Sequence, residues 1–229
     1  MKFNNLNIGT RLGIAFPAIL FLAAIMLATA LWQLGRIGEA KNVMIETTIK
    51  VGLAEQWLRG TATNGVRTVA KLKSTDLADD AYYDQEMKAV SAGISKVQKG
   101  LEARVLSEHG KLLVKAVAEQ RKRYFAVRNE AFRRKAELGA GDAEVKAFLN
   151  DKFLPELDTY VRSVEAVVAY QQKLFEEASS SINALQASAQ QLLLGTGIAA
   201  LVCGGLFALF LTRSITQPLA HAVALAEQV

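Results

Sequence analysis

The sequence predicts an all-α chain: a membrane-anchored, up-down-up-down four-helix bundle set between two transmembrane helices. Three observations carry that prediction. Residues 12–35 hold no charged side chain and are bracketed by Arg11 and Arg36, and residues 178–212 are likewise uncharged. Between these stretches apolar residues recur at three- and four-residue steps, with almost no strand-like alternation. That interval also holds a single proline, Pro155, and its breaks fall at capping and turn residues.

Residues 1–11 read as a leader that carries Lys2 and Arg11, and residues 12–35 as the first span. A helix crosses the hydrocarbon core with roughly 20 residues at about 1.5 Å each, so the stretch is long enough. Ala28-Thr29-Ala30 resembles a signal-peptidase site, but the apolar run continues past it through Leu31 and Trp32. An uncleaved anchor fits better, with Trp32 at the membrane–water boundary. The second span, residues 192–212, is the densest part of the other uncharged stretch and is followed by Arg213. Lys2, Arg11 and Arg213 place both termini in the cytoplasm and residues 36–191 outside; Arg36 alone speaks against this.

The outside segment divides into helices at about residues 36–73, 80–107, 110–138 and 142–190. Val90, Ile94, Val97, Leu101 and Val105 form one apolar stripe, and Leu113, Val117, Tyr124, Val127 and Ala131 another. A third runs through Leu157, Tyr160, Val161, Val164, Val167 and Val168. "KSTDLADD" ends the first helix with Ser, Thr and Asp as caps, "SEHGK" turns at Gly110, and "ELGAGDAE" turns at Gly139 and Gly141, with Asp142 capping the next helix. Short connections make neighbouring helices antiparallel. Trp57 is expected to pack inside the bundle or near a dimer seam.

Composition excludes several classes. The net charge of +5 is modest, and most basic residues fall in the outside segment, which never meets nucleic acid. The single Cys203 has no partner in the chain, so it is read as a small packing residue in the second span. No metal-ligand cluster, Ser/His/Asp arrangement or phosphate loop is present, so neither catalysis, cofactor nor metal is expected. His109 reads as solvated turn material, and His221 lies on the other side of the membrane from it.

After the second span, "RSITQPLAHAVALAEQV" places Ile215, Leu219, Ala222 and Ala226 on one helical stripe, with Pro218 in the first turn. Arg213, Ile215, Pro218 and Leu219 resemble the first helix of a HAMP linker, the relay module of bacterial transmembrane receptors, so residues 213–229 are read as a truncated HAMP helix. At the other end, "NIGTRLGIAF" resembles the leader of methyl-accepting chemotaxis proteins. The resemblance implies the sensory front of a chemoreceptor in the bacterial inner membrane: a periplasmic ligand-binding bundle, a homodimer, and control of a cytoplasmic kinase and its adaptor through a C-terminal half that this sequence does not include. A sensor histidine kinase with the same front, a bundle that docks a binding protein, and a purely structural bundle are the competing readings.

Two stretches are candidate ligand sites. In "EQRKRYFAVRNEAFRRK", Arg121, Tyr124 and Arg128 are spaced by three and four and share a helix face. Two guanidiniums beside a phenol form an anion grip suited to a di- or tricarboxylate. Some relatives of the resembled class hold organic acids with basic and aromatic side chains of this helix. The alternative is a solvated basic face, since residues 121–135 carry seven basic side chains that Glu119 and Glu130 partly neutralise. In "WLRGTATNGVRTVAK", Arg59, Thr63 and Arg67 fall on a ribbon beside Asn64. Amino-acid chemoreceptors resemble this, although their arginine spacing differs. Gly60 and Gly65 there leave room for a close helix or a ligand, with Thr159 or Tyr160 closing the pocket.

Overall fold

The computed structural model describes residues 8–226. The leader before Ile8, the side chains of Ile8, Arg11, Leu12, Ala15, Leu77 and Leu211, and those from Ser214 onward lie outside the described residues. That places the leader motif and the side chains of Ile215, Pro218 and Leu219 beyond structural comment; the backbone is helical through Ala226.

Five helices follow one another: α1 (Ile8–Lys73), α2 (Leu77–Glu102), α3 (Glu108–Leu138), α4 (Ala143–Phe148) and α5 (Leu154–Ala226). One wider π turn, Leu149–Phe153, separates α4 from α5. No strand occurs among the described residues. The chain divides into two compact units, Asn42–Ser179, and Met1–Lys41 with Ser180–Val229.

The Asn42–Ser179 unit is the four-helix bundle. Its side-chain pairs show the direction of each neighbour. Between α1 and α2, Asn64 meets Ser91 and Arg67 meets Glu86, and Glu46 meets Arg104 just past the end of α2, so sequence numbers run in opposite senses. Between α3 and α5, Ser107 at the cap meets Tyr170, and Tyr124 meets Tyr160, again antiparallel. The apolar stripes turn inward as their spacing demands: Trp57, Leu72, Leu101, Val117, Phe153, Val164 and Val167 are fully buried. Each is worth about 1.5–3 kcal/mol when removed from water. Trp57 is a core residue of the bundle.

Capping chemistry accounts for most boundaries. Asp76 accepts the Ala78 N–H at 2.8 Å at the start of α2, and Asp142 accepts the Glu144 N–H at 2.7 Å at the start of α4. Gly139 ends α3 with φ of +88°, a backbone conformation open to glycine. One expected boundary is corrected. α2 stops at Glu102, and Gly110 lies inside the first turn of α3 rather than at a bend. Ser107 supplies the cap, accepting the Gly110 N–H at 3.2 Å. Gly110 is glycine because a Cβ there would sit 2.5 Å from Val105 Cγ1, with Tyr170 close behind. His109 is exposed and sets its ring edge-on to Tyr170 at 4.8 Å.

The expected single helix over 142–190 is also interrupted. The Leu154 N–H donates to the Leu149 carbonyl, five residues back instead of four. Pro155 explains it. In a regular helix its missing N–H would leave the Asp151 carbonyl unpaired, and its ring would press on that same carbonyl. Widening the turn just ahead of Pro155 relieves the conflict while Leu149 and Phe153 stay buried.

In the other unit, α1 and α5 each contain a segment long and apolar enough to cross a membrane. Phe16, Leu20, Phe21, Leu201 and Leu206 all face outward, the arrangement lipid would solvate. Thr29 and Thr196 return their hydroxyl protons to the Ile25 and Leu192 carbonyls of their own helices, at 2.8 and 2.7 Å. The Arg36 guanidinium stacks 5.2 Å from the Trp32 ring, so the one contrary charge beside the first span is held on the boundary tryptophan.

Candidate functional site

Two turns of α3 place Arg121, Tyr124, Phe125 and Arg128 along one stripe, and helical spacing alone makes them neighbours. The two guanidiniums share one ring: Arg121 lies 5.1 Å and Arg128 4.5 Å from the Phe125 centroid. Arg121 donates to the Gln98 side-chain oxygen at 3.0 Å, and Arg128 to the Asn129 oxygen at 3.2 Å. Both side chains are half-buried, and among the described residues neither meets a carboxylate. Two half-buried cations held side by side without a carboxylate partner among the described residues leave a local surplus of positive charge.

Tyr124 sits deeper. Its ring stacks on Tyr160 of α5 at 5.1 Å, and its hydroxyl lies 3.2 Å from Thr68 Oγ1 of α1. Burial foremost raises its pKa above the ordinary tyrosine value, against the lowering effect of the Arg128 charge. The phenol is therefore engaged inside the bundle and is not a free donor for a ligand, as the grip read from the sequence assumed.

Beside this stripe lies a cavity of about 20 Å³, room for one water-sized group. α3 lines it with Arg121, Tyr124, Phe125 and Arg128, and α5 with Tyr160. α1 contributes Thr61 and Asn64, and α2 contributes Ser91 and Ile94. The Asn64 amide donates to the Met87 carbonyl at 3.1 Å and to Ser91 Oγ at 3.0 Å, which fixes its orientation. Of these lining residues, Thr61, Asn64 and Arg128 each carry a buried polar atom (Oγ1, Oδ1 and Nε) without a protein partner.

The candidates from the two stretches are thus redistributed. Arg121, Tyr124, Arg128 and Asn64 come together around one cavity. Arg59 and Thr63 are exposed, and Arg59 pairs with Glu55 at 3.5 Å on its own helix. Arg67 is directed at Glu86, Nη2 to Oε2 at 2.7 Å. Thr159 is exposed and spends its hydroxyl on the Pro155 carbonyl, whereas Tyr160 lines the cavity. Sequence reading missed Thr61, Ser91 and Phe125. Thr61 is three residues before Asn64 on the same face, so a polar pair at helical spacing was available as a signal; Ser91 was not, because its pairing crosses helices.

Other cavities compare poorly for an anion. One of about 550 Å³ near the α1–α2 and α3–α4 connections has two lysines, but Lys71 is paired with Asp84 and Lys135 with Asp80, each at 2.5 Å. A groove of about 560 Å³ between α1 and α5 is apolar, with Asp158 at its edge and no cation. Further along α3, Arg133 and Arg134 are spent on Glu130, whose carboxyl they pull down to about 2. Much of the basic run is therefore the solvated, self-neutralised face; Arg121 and Arg128 are outside that network.

No curated protein matches the chain. Residues 5–186 match the family described as a four helix bundle sensory module for signal transduction. That family is a sensory signalling module of membrane receptors, not a catalytic one, and its domain is periplasmic. With an all-helical bundle and two helices able to span a bilayer, this chain belongs to the four-helix-bundle sensory modules of methyl-accepting chemotaxis receptors.

Proposed function

We propose that this chain is the sensing front of a chemoreceptor in the bacterial inner membrane, and that it binds a small organic anion, a di- or tricarboxylate, at the Arg121–Arg128 face of α3. The observation that carries the ligand class is the pair of half-buried guanidiniums on Phe125 with no carboxylate partner among the described residues. A carboxylate supplies the missing counter-charge and accepts paired N–H bonds. The bundle acts as a homodimer, catalyses nothing, and is periplasmic, with residues 12–35 and 192–212 in the membrane.

A ligand that bridges α3 to α1 must favour one arrangement of those helices over another, because only differential affinity shifts an equilibrium. α5 carries both Tyr160 and the second apolar segment in one helix, so a change at the cavity has a covalent route toward the bilayer. From Arg213 onward a HAMP linker passes the change to a cytoplasmic kinase and its adaptor.

The test is thermal and chemical unfolding of the 229-residue chain in lipid nanodiscs, with succinate and citrate as probes. Ligand at about 100 times Kd stabilises a native state by about 2.7 kcal/mol. Succinate or citrate is expected to stabilise the wild type and to lose its effect in Arg121→Ala and Arg128→Ala. Those variants fold, since removing either arginine strands no carboxylate. An unchanged shift in the double variant, or no shift in the wild type, overturns the reading.

A further inference from the structure

Three residues lining the cavity each carry a buried polar atom with no protein partner: Arg128 its Nε–H, Asn64 its side-chain amide oxygen Oδ1, and Thr61 its hydroxyl. Thr61 is only 2 % exposed, so its hydroxyl cannot turn to bulk water. A buried polar group left without a partner forfeits its hydration, and native interiors seldom tolerate three around one space. Their chemistry is specific. Arg128 Nε offers a donor and asks for an anion or carbonyl. Asn64 Oδ1 is an acceptor whose orientation is fixed by its amide's two bonds to α2, so it asks for a donor. Thr61 takes either role.

A plain dicarboxylate satisfies Arg128 and leaves Asn64 Oδ1 facing an acceptor. We infer that the site recognises a 2-hydroxy carboxylate: the carboxylate on Arg128, and the adjacent hydroxyl donating to Asn64 Oδ1 while accepting from Thr61. This rests on the reading of α3 as an anion site. The cavity volume sets the division: about 20 Å³ admits only the hydroxyl, so both carboxylates stay outside it, at the half-buried guanidiniums of Arg121 and Arg128. A 2-amino carboxylate also carries a donor, but its ammonium would sit beside two guanidiniums, and no residue lining the cavity is acidic. The site thus selects the hydroxyl over hydrogen by hydrogen bonding and over ammonium by charge.

Three four-carbon diacids with one variable group separate these outcomes: malate, succinate and aspartate, titrated calorimetrically into the full chain in lipid nanodiscs. Malate is expected to bind at least tenfold tighter than succinate, and aspartate weaker than malate. Thr61→Val, a near-isosteric change at a hydroxyl with no protein partner, is expected to fold normally and narrow the malate-to-succinate ratio. Arg128→Ala is expected to abolish both. Equal binding of malate and succinate, both lost in Arg128→Ala, overturns the hydroxyl selection and leaves the anion site standing. Aspartate binding tighter than malate overturns it likewise. Binding of none of the three, or binding indifferent to Arg128→Ala, overturns the anion reading as well.

Discussion

Thr68 Oγ1 and the Tyr124 hydroxyl meet at 3.2 Å, joining α1 to α3 through the interior of the bundle. Thr68 is fully buried and already donates its proton to the Asn64 carbonyl at 2.7 Å, so the phenol is the donor between them. Removing one partner is therefore not the same as removing the other. Tyr124→Phe deletes the donor and leaves Thr68 bonded to Asn64, costing about 1 kcal/mol. Thr68→Val strands a buried phenolic O–H and costs about 1–3 kcal/mol. Denaturant unfolding of the two variants gives the order, and a Tyr124→Phe cost larger than that of Thr68→Val contradicts it.

The same pair sets an alkaline limit. The pKa of Tyr124 is raised above its ordinary value of 10.0, with burial as the largest cause. The unfolded chain then loses its phenolic proton at lower pH than the folded one. This contribution is fully present below about pH 10 and is lost as pH rises through the folded pKa. Wild-type stability is expected to fall more steeply than that of Tyr124→Phe above about pH 10. Parallel curves for the two proteins would remove Tyr124 from the cause.

Helix glycines divide by what surrounds them. A Cβ on Gly60 would lie 2.7 Å from Ile94 Cγ1, inside a β-branched side chain that has one comfortable rotamer in a helix. A Cβ on Gly93 meets nothing within 4 Å. Gly93→Ala is expected to stabilise the bundle by about 0.5–1 kcal/mol through helix propensity. Gly60→Ala gains the same amount and loses about 1–3 kcal/mol to overpacking, ending destabilised. Unfolding midpoints at constant slope give both signs.

Much of the architecture was legible because it follows from periodicity and capping, which are local. The stripe Val90, Ile94, Leu101 could face only one way, and Asp76 and Asp142 cap where their side chains predict. The boundary at Gly110 was misread because its reason is tertiary: Val105 and Tyr170 crowd it, so the glycine serves contact rather than bending. The site divides in the same way. The α3 stripe was visible, since i, i+3, i+4 spacing needs no partner. Its merger with Asn64, and the diversion of Arg67 to Glu86, depend on how α1 and α2 pair, which no single segment encodes.

The wide turn at Leu149–Phe153 has a consequence for everything that follows it in the bundle. A regular helix advances about 100° per residue, so one extra residue in a turn swings the next segment by more than a quarter revolution. Pro155 and its turn thus act as an indexing notch. With the notch in place, Tyr160 arrives at the cavity, stacked on Tyr124. Close the turn to ordinary pitch, and that berth passes to Thr159 or Val161, neither of which is an aromatic wall for the two arginines. Whether the receptor has a ring behind its ligand is settled by five residues that never touch it.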